Sequence, residues 1–328
     1  DWAMAQDWDL LVMDESHRIK APGGVASRYC SRLSDRVAHR VALTGTPMSH
    51  SPLDIYAQYR AIDKDIYGTS FTRFRSRYAV MGGFNRMQVV AYQREDELRR
   101  LFYSRAYRVE SDDVLDLPST LSINLMCDLG TKGRRLYQEV SDQFVADLEE
   151  GQITASNALS RLLRLQQITS GYGRLEDGTD VEIDSSKARV LEDTLTDIGA
   201  EPVVVFTRFV HDLDVVHRVA AKVGVPSYEV SGRRKDLSEW RGGVLAVQIQ
   251  AGGLGLDLTR ARYAIYYSLG FSLGDYSQSM ARLHRPGQSH PVEYIHILAS
   301  GTVDETVMEA LARREAVVDH ILKEVRRE

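Results

Sequence analysis

The sequence predicts an α/β protein built on parallel sheets, and three observations carry that reading. Short apolar runs stand between polar segments: Leu10–Met13 (LLVM), Val41–Leu43 (VAL), Val203–Phe206 (VVVF) and Val244–Val247 (VLAV). Runs this short and this uniformly apolar suit strands covered on both faces. Helical periodicity alternates with strand patterns after about residue 200, as βαβ units require. Polar and glycine-rich segments follow the runs directly, where open parallel sheets hold their ligands.

Taken in order, Leu10–Met13 leads into Asp14-Glu15-Ser16-His17, and Val41–Leu43 into Thr44-Gly45-Thr46-Pro47. From about Pro52 to Gly171 the pattern is mostly helical and rich in Arg and Tyr, with one strand-like stretch at Leu121–Cys127. Leu159–Ile168 is its most helix-like piece, and the polar stretch Gly171–Ser186 reads as a linker. Beyond it, His211–Val223 sets Leu213, Val216, Val219 and Ala220 on one helical face. Tyr263–Tyr267 and Val292–Leu298 read as further strands. A closing helix carries Val303, Val307, Leu311, Val318, Ile321, Leu322 and Val325 along one stripe.

Composition narrows the class. The 328 residues suffice for about two domains at roughly 150 residues each. With 43% hydrophobic and 27% charged residues, a disordered chain, a collagen and a disulfide scaffold are excluded. Cys30 and Cys127 lie far apart, without CxxC or HExxH, which argues for a reducing compartment and against structural zinc. No apolar stretch approaches the roughly 18–20 residues of a membrane span. The net charge of −5 gives no general attraction to nucleic acid, though a local basic groove is enough to hold phosphates. Arg outnumbers Lys by 34 to 7, which suits either the coding habit of the source or phosphate recognition by the planar guanidinium.

Each polar segment has a chemical and a plain reading. Asp14 and Glu15 at the end of an apolar strand form a Walker B arrangement, in which the Asp holds Mg²⁺ and the Glu orients or deprotonates the attacking water. The plain reading is an acidic loop with Asp14 or Ser16 capping a helix. The glycines of Ala251–Asp257 (AGGLGLD) allow close approach to a phosphate, or simply make a tight turn. In Gln278–Gln288 (QSMARLHRPGQ), Arg282 and Arg285 lie three apart, so on a helix they share a face and converge on one anion. The alternative is a solvated basic helix end before Pro286-Gly287.

Together and in this order, DESH, LTGTP, AGGLGLDLT and QSMARLHRPGQ resemble motifs II, III, V and VI of helicase superfamily two. The HRPGQ ending, the wide gap between LTGTP and AGGLG and the lead-in at Ser185–Leu195 are similar to the Swi/Snf-type, chromatin-remodeller-like DNA-dependent ATPases and their bacterial and phage relatives. Arg108–Pro118 and Leu162–Gly171 match the family's landmarks more loosely. The resemblance implies RecA-like parallel-sheet lobes with helical insertions, the first lobe incomplete and the second complete. It divides the chain into residues 1–62 (the later part of lobe one), 63–170 (helical insertions with a strand returning to lobe one), 171–200 (linker and lead-in helix) and 201–328 (lobe two).

The resemblance further implies ATP and Mg²⁺ as cofactors and duplex DNA as partner, with no membrane. Asp14 would hold the metal and Glu15 would be the catalytic carboxylate. His17, Thr44, Gly45 and Thr46 would couple nucleotide state to DNA. Gly252, Gly253, Gly255 and Asp257 would face DNA and nucleotide from the second lobe, while Gln278, Arg282 and Arg285 approach the γ-phosphate. The expected compartment is the cytoplasm of a bacterial or phage-infected cell, or the nucleus in a eukaryote. Ser16, Ser49-His50 and Gln250 depart from the family's commoner residues; the first is expected to matter little, and the last to weaken a phosphate contact.

A P-loop, G-x-x-x-x-G-K-[ST], is absent: none of the seven lysines follows a glycine. Three explanations stay open. The chain is a fragment or truncated frame, with Asp1 marking a cut through lobe one. It is half of a split ATPase whose partner carries the P-loop. Or it is a non-catalytic DNA-binding or interaction module. The expectation is a chain that alone neither binds ATP tightly nor hydrolyses it.

Overall fold

The computed structural model describes residues 2–82, 88–109, 114–149, 155–174, 179–250 and 255–322. The chain divides into two compact units: Asp1–Glu110 with Ser272–Gly274 and Ala312–Glu328, and Ser111–Phe271 with Asp275–Leu311.

In the first unit, β1 (Leu10–Met13) and β2 (His39–Ala42) pair in parallel, Leu10 opposite His39 and Met13 opposite Ala42. Parallel neighbours need a crossover, and α1 (Val25–Ser34) supplies it. Met13 packs with Ile19 and Ala61, with Leu11 and Ala42 against them. Leu10, Val12, Val41 and Leu43 alternate with those residues and are exposed. Among the described residues these two strands are therefore not covered on both faces. A run of four apolar residues conceals the period of two that decides which side is buried.

The same unit holds α2 (Ile55–Ile62), α3 (Lys64–Tyr67), α4 (Phe71–Tyr78) and α5 (Glu95–Tyr103), with β3 (Ala79–Gly82) and β4 (Gln88–Tyr92) as an antiparallel ribbon. That ribbon is an addition to the single strand expected between Pro52 and Gly171. Tyr56, Tyr59, Phe74 and Leu98 are buried there together with Ile321 and Leu322 from the end of the chain. The rings meet edge-on or tilted, as Tyr59 with Tyr67 at 4.9 Å and Phe74 with Tyr78 at 5.0 Å. Such pairs add about 0.5–1.5 kcal/mol each beyond their burial. The tyrosine richness of this region is thus spent on packing.

After residue 111 the order is β5 (Thr120–Cys127), α6 (Thr131–Glu149), α7 (Ala155–Thr169), β6 (Tyr172–Arg174), β7 (Asp180–Glu182), α8 (Ser186–Ile198), β8 (Val203–Thr207), α9 (Val210–Val223), β9 (Ser227–Val230), β10 (Val244–Gln248), β11 (Tyr263–Tyr266), α10 (Leu273–Met280), β12 (Val292–Ala299) and α11 (Val303–Leu322). Six of these strands form one parallel sheet in the order β5-β12-β11-β8-β10-β9. Val203–Phe206 and Val244–Val247 are buried, as their apolar runs predict. On one side of the sheet, Leu191 and Leu195 of α8 and Leu213, Val216 and Val219 of α9 close the core. Burying each such side chain contributes about 1.5–3 kcal/mol.

Two expectations change here. The strand read at Leu121–Cys127 does not return to the first unit. It runs parallel to β12 along its whole length, Thr120 opposite Val292 and Cys127 opposite Ala299. Alternation in a sequence marks a strand but carries no record of its partner. The linker at Gly171–Ser186 also contains the antiparallel pair β6–β7. Gly171 enters it at φ +97°, where a Cβ would lie 2.3 Å from the Asp184 carbonyl oxygen, so only glycine fits.

Two buried acids stand near the carboxyl ends of β8, β11 and β12. Lys187 Nζ lies 2.6 Å from Asp304 Oδ2, both side chains almost wholly buried, and donates to the Tyr267 carbonyl at 3.1 Å. Asp304 also accepts from Thr169 Oγ1 at 2.9 Å and the Ala299 N–H at 3.1 Å. Asp212, fully buried, accepts a short hydrogen bond from Ser268 Oγ and one from the Phe209 N–H, while its Oδ1 has no hydrogen-bond partner within normal geometry among the described residues. Burial pushes its carboxyl up to about 7, against the opposing pull of Ser268 and Lys187.

No helix among the described residues is long and apolar enough to cross a membrane.

Lys187→Met is expected to destabilise the chain by about 3–5 kcal/mol, because it leaves Asp304 charged and uncompensated in the interior. Urea unfolding followed by far-UV circular dichroism measures this. A loss under about 1 kcal/mol would show the pair to be inert.

Candidate active site

The motif residues fall in two groups, one in each unit. In the first, Asp14 leaves β1 exposed to solvent, and its Oδ1 accepts from the Glu15 N–H at 2.9 Å. Its other carboxylate oxygen has no hydrogen bond to a described residue. Glu15 then turns through a left-handed conformation, φ 51° and ψ 49°, which costs a non-glycine residue about 1–2 kcal/mol. Strain of this kind persists where neighbouring bonds over-determine it.

Those bonds are visible. The Leu43 N–H donates to Met13 O at 2.9 Å and the Ser16 N–H to Leu43 O at 2.9 Å, carrying the β1–β2 ladder past the strand ends. Ser16 Oγ, buried, donates to Gln58 Oε1 at 2.9 Å, and Gln58 Nε2 donates to Pro47 O at 2.7 Å. The DESH and LTGTP segments are thereby joined twice. His17 Nδ1 stands 3.2 Å from Glu15 Oε2 and 3.1 Å from Thr44 Oγ1, and Thr44 Oγ1 accepts the Thr46 N–H at 3.1 Å. Gly45, exposed between the two threonines, leaves the loop open to solvent.

Three residues matter more than the sequence suggests. Ser16, expected to be of little consequence, has a buried hydroxyl whose partner is Gln58. Lys20 Nζ donates to Ser49 Oγ at 2.7 Å and lies 2.7 Å from His50 Nδ1, so the Ser49-His50 departure has a partner of its own. Gln58 lies in α2, outside every motif. Only tertiary proximity identifies it.

In the second unit, Gly255 has φ 54° and Asp257 is exposed; Gly252 and Gly253 lie outside the described residues. Asp257 Oδ1 accepts from the Thr259 N–H at 3.1 Å and Thr259 Oγ1 at 2.8 Å. These bonds, with Arg285 nearby, hold its carboxyl below the usual range. Leu258 N–H donates to Arg282 O at 3.1 Å, which sets the AGGLGLD and HRPGQ segments side by side.

Gln278 lies on α10, but that helix ends at Met280, so Arg282 and Arg285 do not share a helical face. They sit in the turns that follow, half-buried, and the Arg282 side chain makes no hydrogen bond or ion pair with a described residue. Gln288 fixes these turns from inside. Its Nε2 donates to Ala261 O at 2.9 Å and Thr259 O at 3.1 Å, and its Oε1 accepts the N–H groups of Ser289 and His290 at 3.0 Å. At the end of β8, Arg208 is also tied in, its guanidinium donating to Gln166 Oε1 at 2.7 Å. Burial lowers its basicity. Neither residue was singled out by the sequence.

The donor set around Asp14 fits Mg²⁺. That ion keeps most of its waters and takes one or two carboxylates alongside substrate phosphates, which an exposed Asp14 with a free oxygen and an adjacent Glu15 can offer. Among the described residues no cluster of three or more His, Cys, Asp or Glu is placed to hold a metal alone.

Comparison with known proteins gives two family matches: the SNF2-related domain over residues 2–172 and the helicase conserved C-terminal domain over residues 186–287. The chain is 25% identical over 343 aligned residues to protein p41 of Acyrthosiphon pisum secondary endosymbiont phage 1, covering 97% of this chain and 72% of p41. It is 22% identical to an ATP-dependent helicase of Mycoplasma pneumoniae, covering 97% of this chain and 31% of that protein. Among solved structures, the C-terminal part of the Fun30 ATPase domain superposes with a TM-score of 0.50 at 15% identity, over 63% of this chain and 97% of that one. The last shows a shared fold. The chain spans most of the phage protein but less than a third of the Mycoplasma one.

Glu15→Gly is expected to stabilise the first unit by about 1 kcal/mol, since glycine adopts the left-handed conformation without strain. Thermal unfolding reads it. A lower midpoint would mean that the contact with His17 outweighs the strain.

Proposed function

Because this chain belongs to the SNF2-related family of helicase superfamily two, we propose that it carries much of the machinery of a Swi/Snf-type DNA-dependent ATPase, which couples ATP hydrolysis to movement along duplex DNA. The observation that carries the reading is the His17 imidazole set between Glu15 and Thr44, at 3.2 and 3.1 Å. A hydrolytic carboxylate must report its state to the part that grips the track. This ring links the two motifs side chain to side chain.

In this reading Asp14 holds the metal and Glu15 orients the attacking water or takes its proton. A bound Mg²⁺ would supply charge neutralisation on the phosphate oxygens. Thr44, Gly45 and Thr46 pass the change to DNA. From the second unit, Gln278, Arg282 and Arg285 face the γ-phosphate, the arginines as finger residues. Gly252, Gly253, Gly255 and Asp257 meet nucleotide and DNA, and Gln288 positions the finger turns.

A second reading is favoured by one sequence fact: no glycine-lysine pair occurs in the 328 residues. The lysine that reaches the β/γ oxygens then comes from residues outside these 328, in the same polypeptide or in a partner chain. A non-catalytic DNA-binding module is the remaining alternative, and co-expression with a P-loop partner separates it from a split enzyme.

The purified 328-residue chain is expected to show no DNA-stimulated release of phosphate above background, and robust turnover would overturn this. In the complete enzyme, Arg285→Ala is expected to lower kcat by at least about 10³-fold, with DNA affinity changed less than about twofold. Turnover within a few-fold of wild type would remove Arg285 from the finger role.

A further inference from the structure

The first unit has a basic hollow that no motif accounts for. It has a volume of about 570 Å³ and is lined by Arg28 and Arg32 of α1, Arg60 of α2, Lys64 of α3, Asp35 and Thr69. Four cations thus face one carboxylate, in a chain whose acidic residues outnumber its basic ones by 46 to 41. Asp35 is already engaged, its Oδ1 lying 2.7 Å from Lys64 Nζ.

Several arginines elsewhere have an acid: Arg77 has Glu97, Arg105 has Asp63, Arg218 has Glu182 and Arg262 has Glu201. Arg28 and Arg32 have neither an ion pair nor a side-chain hydrogen bond among the described residues. They are one helical turn apart, so they are neighbours on the surface and repel each other. A helix end accommodates Arg32, which lies in the last turn of α1, but not Arg28 a turn earlier.

Arg60 is held in place beside them. Its Nη2 donates to Pro22 O at 3.0 Å and Ser27 Oγ at 2.9 Å, and its guanidinium lies 5.8 Å from the centre of the Tyr56 ring. One fixed guanidinium and two unneutralised ones bordering a hollow are the pieces of a phosphate site. Guanidinium groups meet phosphate oxygens in a planar, two-pronged fashion.

We propose that this hollow binds phosphate groups of a nucleic-acid backbone, at a place separate from Asp14, Glu15 and Thr44, with Arg28 and Arg32 as the contacting cations and Arg60 as the fixed wall. The choice of duplex DNA as the ligand rests on the translocase reading above. The chemistry of the hollow stands without it. Contacts of this kind set register on a duplex and carry no base preference.

The test uses the 328-residue chain and a 30-base-pair duplex, with affinity measured from about 50 to 200 mM salt. Each phosphate contact contributes about 0.9 to the slope of log affinity against log salt. Arg28→Gln with Arg32→Gln is expected to lower that slope by about 2, and the paired Lys substitutions to restore most of it. Both positions are exposed, and unchanged far-UV dichroism confirms folding. An unchanged slope in the Gln variant, with wild type binding normally, overturns the proposal alone. Absence of duplex binding by wild type takes down both it and the translocase reading. A second arm titrates inorganic tripolyphosphate. If the Gln variant loses that binding while its duplex slope is unchanged, the hollow holds a free anion and the backbone assignment fails.

Discussion

The pair Lys187–Asp304 is the constraint on which most of the second unit depends. Two charges buried from water cost several kcal/mol each, and their attraction repays this only if every remaining donor and acceptor is satisfied. Here the bill is met by segments far apart in sequence: the end of α7 through Thr169, the segment after β11 through Tyr267, and the end of β12 through Ala299. An ion pair that needs so many partners fixes all of them at once. The same rim carries Arg208 beside Gln166, and Asp212 beside Ser268. A parallel sheet exposes its chemistry beyond the carboxyl ends of its strands, so a rigid rim there holds the loops that do the work.

The first unit solves a related problem differently. Its two strands continue their backbone ladder for one more step, through Leu43 and Ser16, and this brings DESH and LTGTP together. Rigidity comes from main-chain bonds and from Gln58 beneath them. The left-handed turn at Glu15 sits on that support. One unit thus stores strain at the carboxylate, while the other stores desolvation under the sheet. Both are ways of keeping a polar group in an orientation it would not choose alone.

Much of this was legible in the residues. β8 and β10 announce themselves because strands covered on both faces need unbroken apolar runs, and β11 and β12 because theirs are mostly apolar and aromatic, β12 broken only by Glu293 and His296. The four motifs were readable because, together and in order, they resemble those of a known family; taken singly, segments such as DESH and AGGLGLD kept a plain reading. β9, with Glu229 buried at its end, hid behind a polar residue whose cost is met by His217, Ser231 and Arg233. β5 was visible as a strand and misassigned, since pairing is a tertiary choice. Arg282 and Arg285 were set on a helix that stops at Met280, because a three-residue spacing fits turns as well as helices. Gln58, Gln288 and Lys20 were not singled out: their side-chain partners are 29 to 42 positions away and their other partners are main-chain atoms, which no pattern of side chains records.

Asp212 has a consequence for how the chain exchanges protons with its surroundings. Its carboxyl is pushed up to about 7 in the folded chain, against about 3.9 for an unconstrained aspartate. Between those values the native state binds about one proton that the unfolded chain releases, so the stabilisation from this group is complete below pH 4 and fades as pH rises through 7. Folding in that window is therefore a proton uptake at Asp212, opposed by His296, whose burial pushes its imidazole down to about 4 and makes it give a proton up. The heat of folding includes what the buffer exchanges for the balance of the two, so enthalpies taken in phosphate and in Tris differ by what these two buried side chains leave uncancelled.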